Sequence, residues 1–249
     1  MNLKPLLLVG TLSTMGNLAH AEDTKPASPH TLTGNFSLTT DYTFRGLTQN
    51  DGKPALQGGY DYAHSCGFYA GFWGSNVSWV EDGGVGSNSL ETDFYLGYKF
   101  SPVKDVTVDI GAVEYYYPGT YEGSVKPHTT EAYLGLSYKW VTLKYSHAIS
   151  NDWFAFEDFK NTKYYECNAS LPLPQGLTLG LHAGRQDFAS EHNDLDYNDY
   201  KVALTKEIVP TFTLGLAYTY ASNKDSYVSV VDGDSLGGSR VALTLTKAF

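Results

Sequence analysis

Two cysteines, Cys66 and Cys167, are all that the 249 residues hold. That is too few for a disulfide framework in a domain of this size, and spacing alone does not say whether the two pair. No run approaches the roughly 18 consecutive apolar residues that a membrane helix needs, which excludes a helical membrane protein. It does not exclude a membrane β-barrel, in which only alternate residues of each strand meet lipid. A glycine-rich phosphate loop and zinc-type spacings are both missing, so no cofactor and no metal is expected. Two acidic stretches, residues 191–199 (EHNDLDYND) and 232–234 (DGD), offer hard oxygen ligands but lack EF-hand spacing and read as solvated loops. Positive charge is scarce, 17 Lys and Arg against 27 Asp and Glu. An anionic chain does not suit a phosphate backbone, which sets nucleic acid aside as a partner.

What is present begins with a leader. Lys4 precedes the apolar run Leu6 to Val9, and Ala19-His20-Ala21 fits a small-residue cleavage site, so residues 1–21 read as an export signal and the mature chain starts at Glu22. Removing 21 of 249 residues leaves 228, enough for one large all-β domain. Residues 22–31, EDTKPASPHT, are polar with two prolines and read as a flexible lead-in.

From Leu32 onward the dominant signal is a period of two. Leu32, Gly34, Phe36, Leu38, Thr40, Tyr42 and Phe44 make one face of an opening strand, while Thr33, Asn35, Ser37, Thr39, Asp41, Thr43 and Arg45 make the other. After Asn50, Asp51 and Gly52 the alternation resumes, with Leu56, Tyr60 and Tyr62 against Gln57 and Asp61. We therefore expect a first strand over 32–48, a short loop at 49–53, and a return strand over 56–62. Ten further strands are predicted near 67–79, 90–100, 106–117, 129–138, 141–146, 163–171, 177–188, 197–206, 212–222 and 238–249. Glu114 breaks the phase of its strand, which predicts a bulge or the strand's emergence from the membrane. At Lys139 and Trp140 the apolar parity flips, as a two-residue turn requires.

Connections after even strands are short and those after odd strands are long and acidic or aromatic, the first loop excepted. A β-sandwich also alternates, but its strands commonly run five or six residues, whereas a tilted membrane strand needs about 9 to 11. The chain also carries 20 tyrosines and 12 phenylalanines, many near predicted strand ends, where interfacial girdles fall. The fold class expected for residues 32–249 is thus all-β: a transmembrane antiparallel up-and-down barrel of about 12 strands, with short periplasmic turns and longer extracellular loops. Its partners are outer-membrane lipid and small hydrophilic solutes or ions.

The opening hairpin DYTFRGLTQNDGKPALQGGYDY, Asp41 to Tyr62, with DFYLGYKF, Asp93 to Phe100, and the terminal Phe249, resembles the TorF family of outer-membrane porins, whose substrates are largely unassigned. Its most specific part is the pairing of Phe44-Arg45-Gly46 with Gln57-Gly58-Gly59. The resemblance implies a porin-like barrel in the bacterial outer membrane and carries over no catalytic or ligand residue. Phe249 resembles the terminal signal of outer-membrane proteins, which makes the barrel-assembly machinery an expected partner.

With the apolar face on lipid, Asp41, Arg45, Gln57, Asp61, Glu91, Asp93, Lys99, Asp109, Glu131, Lys144 and Arg240 line the lumen, together with Lys139, Glu166, His182, Asp199 and Lys201. Centring the first turn on Asp51 sets Asp41 opposite Asp61 and Arg45 opposite Gln57, a constriction that favours cations. The same charges read equally as a structural salt-bridge network that braces or plugs the bore. Two rivals to a passive channel remain in view. One is a barrel without an open pore, acting as an adhesin or structural protein; the other is a rim hydrolase using Ser146 with His147, or His192. Oligomeric state is not legible.

Overall fold

The structure, a computed structural model, describes residues 28–121, 123 and 125–249. The predicted leader, and the lead-in as far as residue 27, lie outside the described residues. Sixteen strands occur in chain order: β1 (His30–Thr39), β2 (Thr43–Phe44), β3 (Leu47–Thr48), β4 (Ala55–His64), β5 (Phe68–Asn76), β6 (Gly86–Ser87), β7 (Leu90–Phe100), β8 (Val106–Tyr116), β9 (Thr120–Tyr121), β10 (Thr129–Tyr138), β11 (Val141–Ala148), β12 (Lys163–Pro172), β13 (Leu177–Asp187), β14 (Tyr197–Val209), β15 (Phe212–Ala221) and β16 (Gly238–Ala248). Twelve of them close into one antiparallel barrel in the order β1-β16-β15-β14-β13-β12-β11-β10-β8-β7-β5-β4. The other four make two short ribbons, β2 with β3 and β6 with β9. A one-turn helix, α1 (Trp79–Asp82), lies between β5 and β6.

Closure pairs the first strand with the last. Asn35 to Thr39 face Ala248 to Thr244, and the backbone of Phe249 exchanges hydrogen bonds with that of Gly34 at 2.9 and 3.3 Å. Inside this seam the Ser37 and Thr246 hydroxyls bond at 2.8 Å, and Thr244 donates to Thr39 at 2.8 Å. This seam joins the two edges of the sheet, as a wall standing in hydrocarbon requires.

The alternation in sequence is an alternation in space. On β10, Leu134, Leu136 and Tyr138 are exposed, while Glu131 and Tyr133 are buried. Across the seam Leu38, Leu243, Leu245 and Leu216 form part of the same exposed apolar belt. A contiguous apolar surface of this extent is foreign to water-soluble monomers and suits lipid. One end of the barrel has tight connections, among them the predicted two-residue turn, where Tyr138 faces Val141 and Lys139 takes φ 53°. The other end carries the long ones. Lys139 itself sits in that turn against the Tyr138 ring, outside the bore.

Four expectations are corrected or refined. The opening strand ends at Thr39, and residues 40–54 leave the wall to form the β2–β3 hairpin. Consequently Asp61 faces Thr33 and Gln57 faces Ser37, so the pairing of Asp41 with Asp61 and of Arg45 with Gln57 does not occur. At Glu114 the register runs unbroken on both sides, opposite Thr130 and Phe94; the phase break marks a carboxylate on the outer face near the long-loop end, bonded by Thr130. The register shift in the wall falls instead between Glu207 and Val209. Both cysteines are free and exposed.

Candidate functional site: the lumen and its hairpin plug

The chain turns inward because residues 40–54 hold two tight turns, where the alternation shows only one. Arg45 (φ 47°) and Gly46 (φ 79°) both occupy the left-handed region, as do Asp51 (φ 52°) and Gly52 (φ 72°). Two consecutive positive φ angles make the type I′ turn that suits the twist of a two-residue hairpin. The first turn reverses β2 onto β3; the second returns the chain to β4 through a bond from the Lys53 amide to the Asn50 carbonyl at 3.0 Å. Asp41 stitches the base. Its carboxylate accepts from the Thr48 hydroxyl at 2.6 Å and pairs with Arg240 at 3.3 Å, while the Thr48 hydroxyl accepts from the Gly52 amide at 2.9 Å.

The hairpin crosses the bore. Tyr42 packs edge-on to Trp73 of β5 at 5.4 Å and donates to Glu91 of β7 at 3.4 Å. Phe44 meets Tyr115 of β8 at 5.4 Å. Arg45 donates to Glu131 of β10 at 2.6 and 3.0 Å and to Gln186 of β13 at 3.0 Å, with its guanidinium 4.2 Å over the Tyr164 ring of β12. Gly46 closes the traverse: a Cβ there would stand 2.7 Å from Cβ of Asp199 on β14 and 3.0 Å from that of Ala221 on β15. Burial works against the Arg45 charge, but Glu131 outweighs it and holds the guanidinium firmly charged. Burial, then the nearby Glu91, pushes the Tyr42 phenol well up, so it stays neutral and donates.

A second inward tip lies above the first. Phe154 (φ 43°) and Ala155 (φ 68°) form another positive-φ pair, clasped by reciprocal bonds between Trp153 and Phe156 at 2.8 and 3.0 Å. The tip brings Phe154 against Phe44 (5.7 Å), Tyr115 (5.1 Å) and Tyr117 (6.2 Å). The long-loop mouth is therefore stoppered by packed aromatic rings around one buried ion pair.

Toward the short turns the lumen is built differently. Inward tyrosines lie flat over inward glycines of the next strand. A Cβ on Gly71 would stand 2.6 Å from the Tyr95 ring, and one on Gly111 would stand 2.5 Å from that of Tyr133. The phenols serve carboxylates: Tyr95 donates to Asp61 at 2.6 Å, Tyr69 to Asp109 at 2.6 Å, and Tyr69 and Tyr133 share a bond at 2.5 Å. Cations sit over the same rings, Lys99 at 4.5 Å from the Tyr69 centroid and Lys144 at 4.3 Å from Tyr133. Lys99 pairs with Asp109 at 3.5 Å and Lys144 with Glu166 at 3.9 Å. A connected group follows, in which His182 bridges Asp199 (2.8 Å) and Asn168 (2.7 Å), and Tyr164 donates to Asp199 at 2.7 Å.

Of the residues predicted from sequence, Gln57, Asp61, Glu91, Asp93, Lys99, Asp109, Glu131, Lys144 and Arg240 occupy inward positions on wall strands, and Asp41 and Arg45 reach the bore from the hairpin. The tyrosines that organise them were missed. Tyr and Gly at inward positions of neighbouring strands were the available signal. Ser146 is buried inward while His147 turns to the other face and bonds Tyr145 at 3.1 Å, so the two make no catalytic pair. His192 is stacked on Phe159 at 3.9 Å. Among the described residues no group of three or more His, Cys, Asp or Glu is gathered for a metal ion.

Residues 23–249 match the model of a bacterial protein family of unknown function, Gcw_chp, and the chain belongs to that family. No curated protein matches it. Among solved structures it is similar to the KdgM porin, with TM-score 0.56 at 9% identity over 87% of this chain and 99% of that one. It is likewise similar to the NanC porin, with TM-score 0.54 at 10% identity over 88% and 99%. A second KdgM structure, in complex with disordered oligogalacturonate, gives TM-score 0.55 at 9% identity over 88% and 98%. At these identities the likeness is one of fold: a small twelve-stranded porin-type barrel.

Proposed function

We propose that the chain is a porin-like channel of the bacterial outer membrane, of the TorF type its hairpin resembles, passing small hydrophilic solutes or ions with a preference for cations. Its short turns face the periplasm and its long loops the cell exterior. The observation that carries the preference is the charge of the bore. Eight inward carboxylates, Asp41, Asp61, Glu91, Asp93, Asp109, Glu131, Glu166 and Asp199, stand against five cations, Arg45, Lys99, Lys144, Lys201 and Arg240. An excess of negative charge in a narrow low-dielectric passage attracts cations and repels anions. The oligogalacturonate seen with KdgM is a polyanion and is disfavoured here for the same reason. An aperture too narrow for large solutes is supported by the seated hairpin.

Liposome swelling with neutral and charged solutes, joined to reversal potentials in planar bilayers under a salt gradient, tests this. Faster entry of small neutral or cationic solutes and a reversal potential of cationic sign are expected. An anion-selective current would overturn the preference, and absence of any flux, even with the hairpin deleted, would overturn the channel.

A further inference from the structure

Beneath the seated hairpin, two carboxyls are buried with no ion pair to a cation among the described residues. Glu91 and Asp93 stand two residues apart on the inward face of β7, exposed by 1% and 0%. Tyr42 of the hairpin donates to Glu91 Oε1, while Glu91 Oε2 and both Asp93 oxygens meet no donor. Across the ladder from Asp93 stands Trp73, whose Nε1 is buried and also unpartnered, and Ser75 stands across from Glu91.

Groups on the surrounding elements face the pair. The hairpin contributes Tyr42; β8 and the loop after it contribute Tyr115 and Tyr117; β7 itself adds Tyr95. From β10 comes Glu131, a further negative charge already taken by Arg45. Two ionised carboxylates side by side in such a setting are each strongly disfavoured by desolvation, and their mutual repulsion adds to that. One proton held between them removes both penalties, as in carboxyl pairs that titrate as a unit.

We propose that Glu91 and Asp93 share one proton while the hairpin is seated, and that losing this proton to solvent at alkaline pH drives the hairpin out and opens the long-loop mouth. The gating half of this rests on the channel reading above; the shared proton does not. The direction follows from linkage. The seated form binds a proton that the open, solvated pair gives up, so seating is favoured at low pH and weakens as pH rises. One proton allows at most about a tenfold rise in the hairpin-out population per pH unit.

Three measurements on the folded barrel in lipid test it, for the wild type, Glu91→Gln and Asp93→Asn. A protonated-carboxyl infrared band is expected in the wild type, bleaching at alkaline pH and weakened or lost in each variant. Trypsin cleavage after Arg45, a buried bond while the hairpin is seated, should quicken by up to about tenfold per unit as pH rises from neutral. Conductance should rise alongside, and both responses should flatten in the variants. A wild type with no such band, or with cleavage at Arg45 independent of pH, overturns the proposal. A variant with residues 43–48 deleted separates the two readings. If it conducts at every pH while the wild type shows no pH response, the gate fails and the channel stands. If it never conducts, the channel fails, and the band and the cleavage rate still judge the shared proton.

Discussion

The hairpin of residues 40–54 and the wall it crosses are made from the same kinds of residue, aromatics, carboxylates and a few cations, yet they are held by different physics. The wall is a ladder: every residue of β10 from Thr129 to Tyr138 pairs with β8, with the same one-residue step throughout. No single side chain decides it. The hairpin has two residue pairs of its own, Thr43 with Thr48 and Phe44 with Leu47, far too little to hold a ribbon in place. It is fixed by what its side chains meet on distant strands, above all by Arg45 on Glu131. A distributed structure tolerates loss at one point, and a structure pinned at one point does not.

Replacing Arg45 with Ala should break this contrast most sharply. It leaves Glu131 buried without a counter-charge, a change of about 3–5 kcal/mol, and the hairpin alone is free to relieve it by leaving. A large gain in conductance and rapid chymotryptic cleavage after Phe44, which is packed on Tyr115 while the hairpin is seated, are expected, with the barrel still folded by its heat-modifiable mobility in gels. Loss of folding in place of opening would show that hairpin and wall are one cooperative unit. The reverse is expected of Leu134→Arg on the outer face, half exposed in mid-strand. It should cost the wall about 2–4 kcal/mol in lipid, read by reversible unfolding, without raising conductance. Gly111→Ala sharpens the wall's own rule. Its new Cβ would meet the Tyr133 ring at 2.5 Å and the Leu96 carbonyl at 2.6 Å, so about 1–3 kcal/mol of stability is lost. The smallest effect belongs to Tyr42→Phe, which removes one long hydrogen bond to Glu91. About 0.5–1.5 kcal/mol is at stake, visible as a modest increase in channel open time.

Much of the wall was legible. The expected strands at 90–100 and 129–138 coincide with β7 and β10, and the two-residue turn after Tyr138 is where the parity flip required it. Alternation reports faces faithfully because a one-residue slip would put every charge into lipid. The hairpin was misread because its own residues also alternate. Tyr42 and Phe44 continue the greasy parity of Leu38, and nothing local says that their apolar surroundings are aromatic rings in the bore and not lipid. The Arg-Gly pair at 45 and 46 is the clue, since left-handed φ is ready for Gly and tolerated by few others; Asp51-Gly52, six residues on, is the stronger turn signal and masks it.

By itself the sequence determined the twelve wall strands, their faces and the asymmetry of the two rims. Those properties depend on the two-residue period of a strand and on the length of each connection, which are local. Only the tertiary structure decided which charges meet: Arg45 with Glu131, 86 residues apart, Asp41 with Arg240, 199 apart, and Glu91 with Asp93 alone beneath Tyr42. Closing a sheet on itself brings remote strands face to face across a bore, and the partners are then set by the tilt of the wall and the depth of the hairpin, quantities that no single stretch of the chain contains.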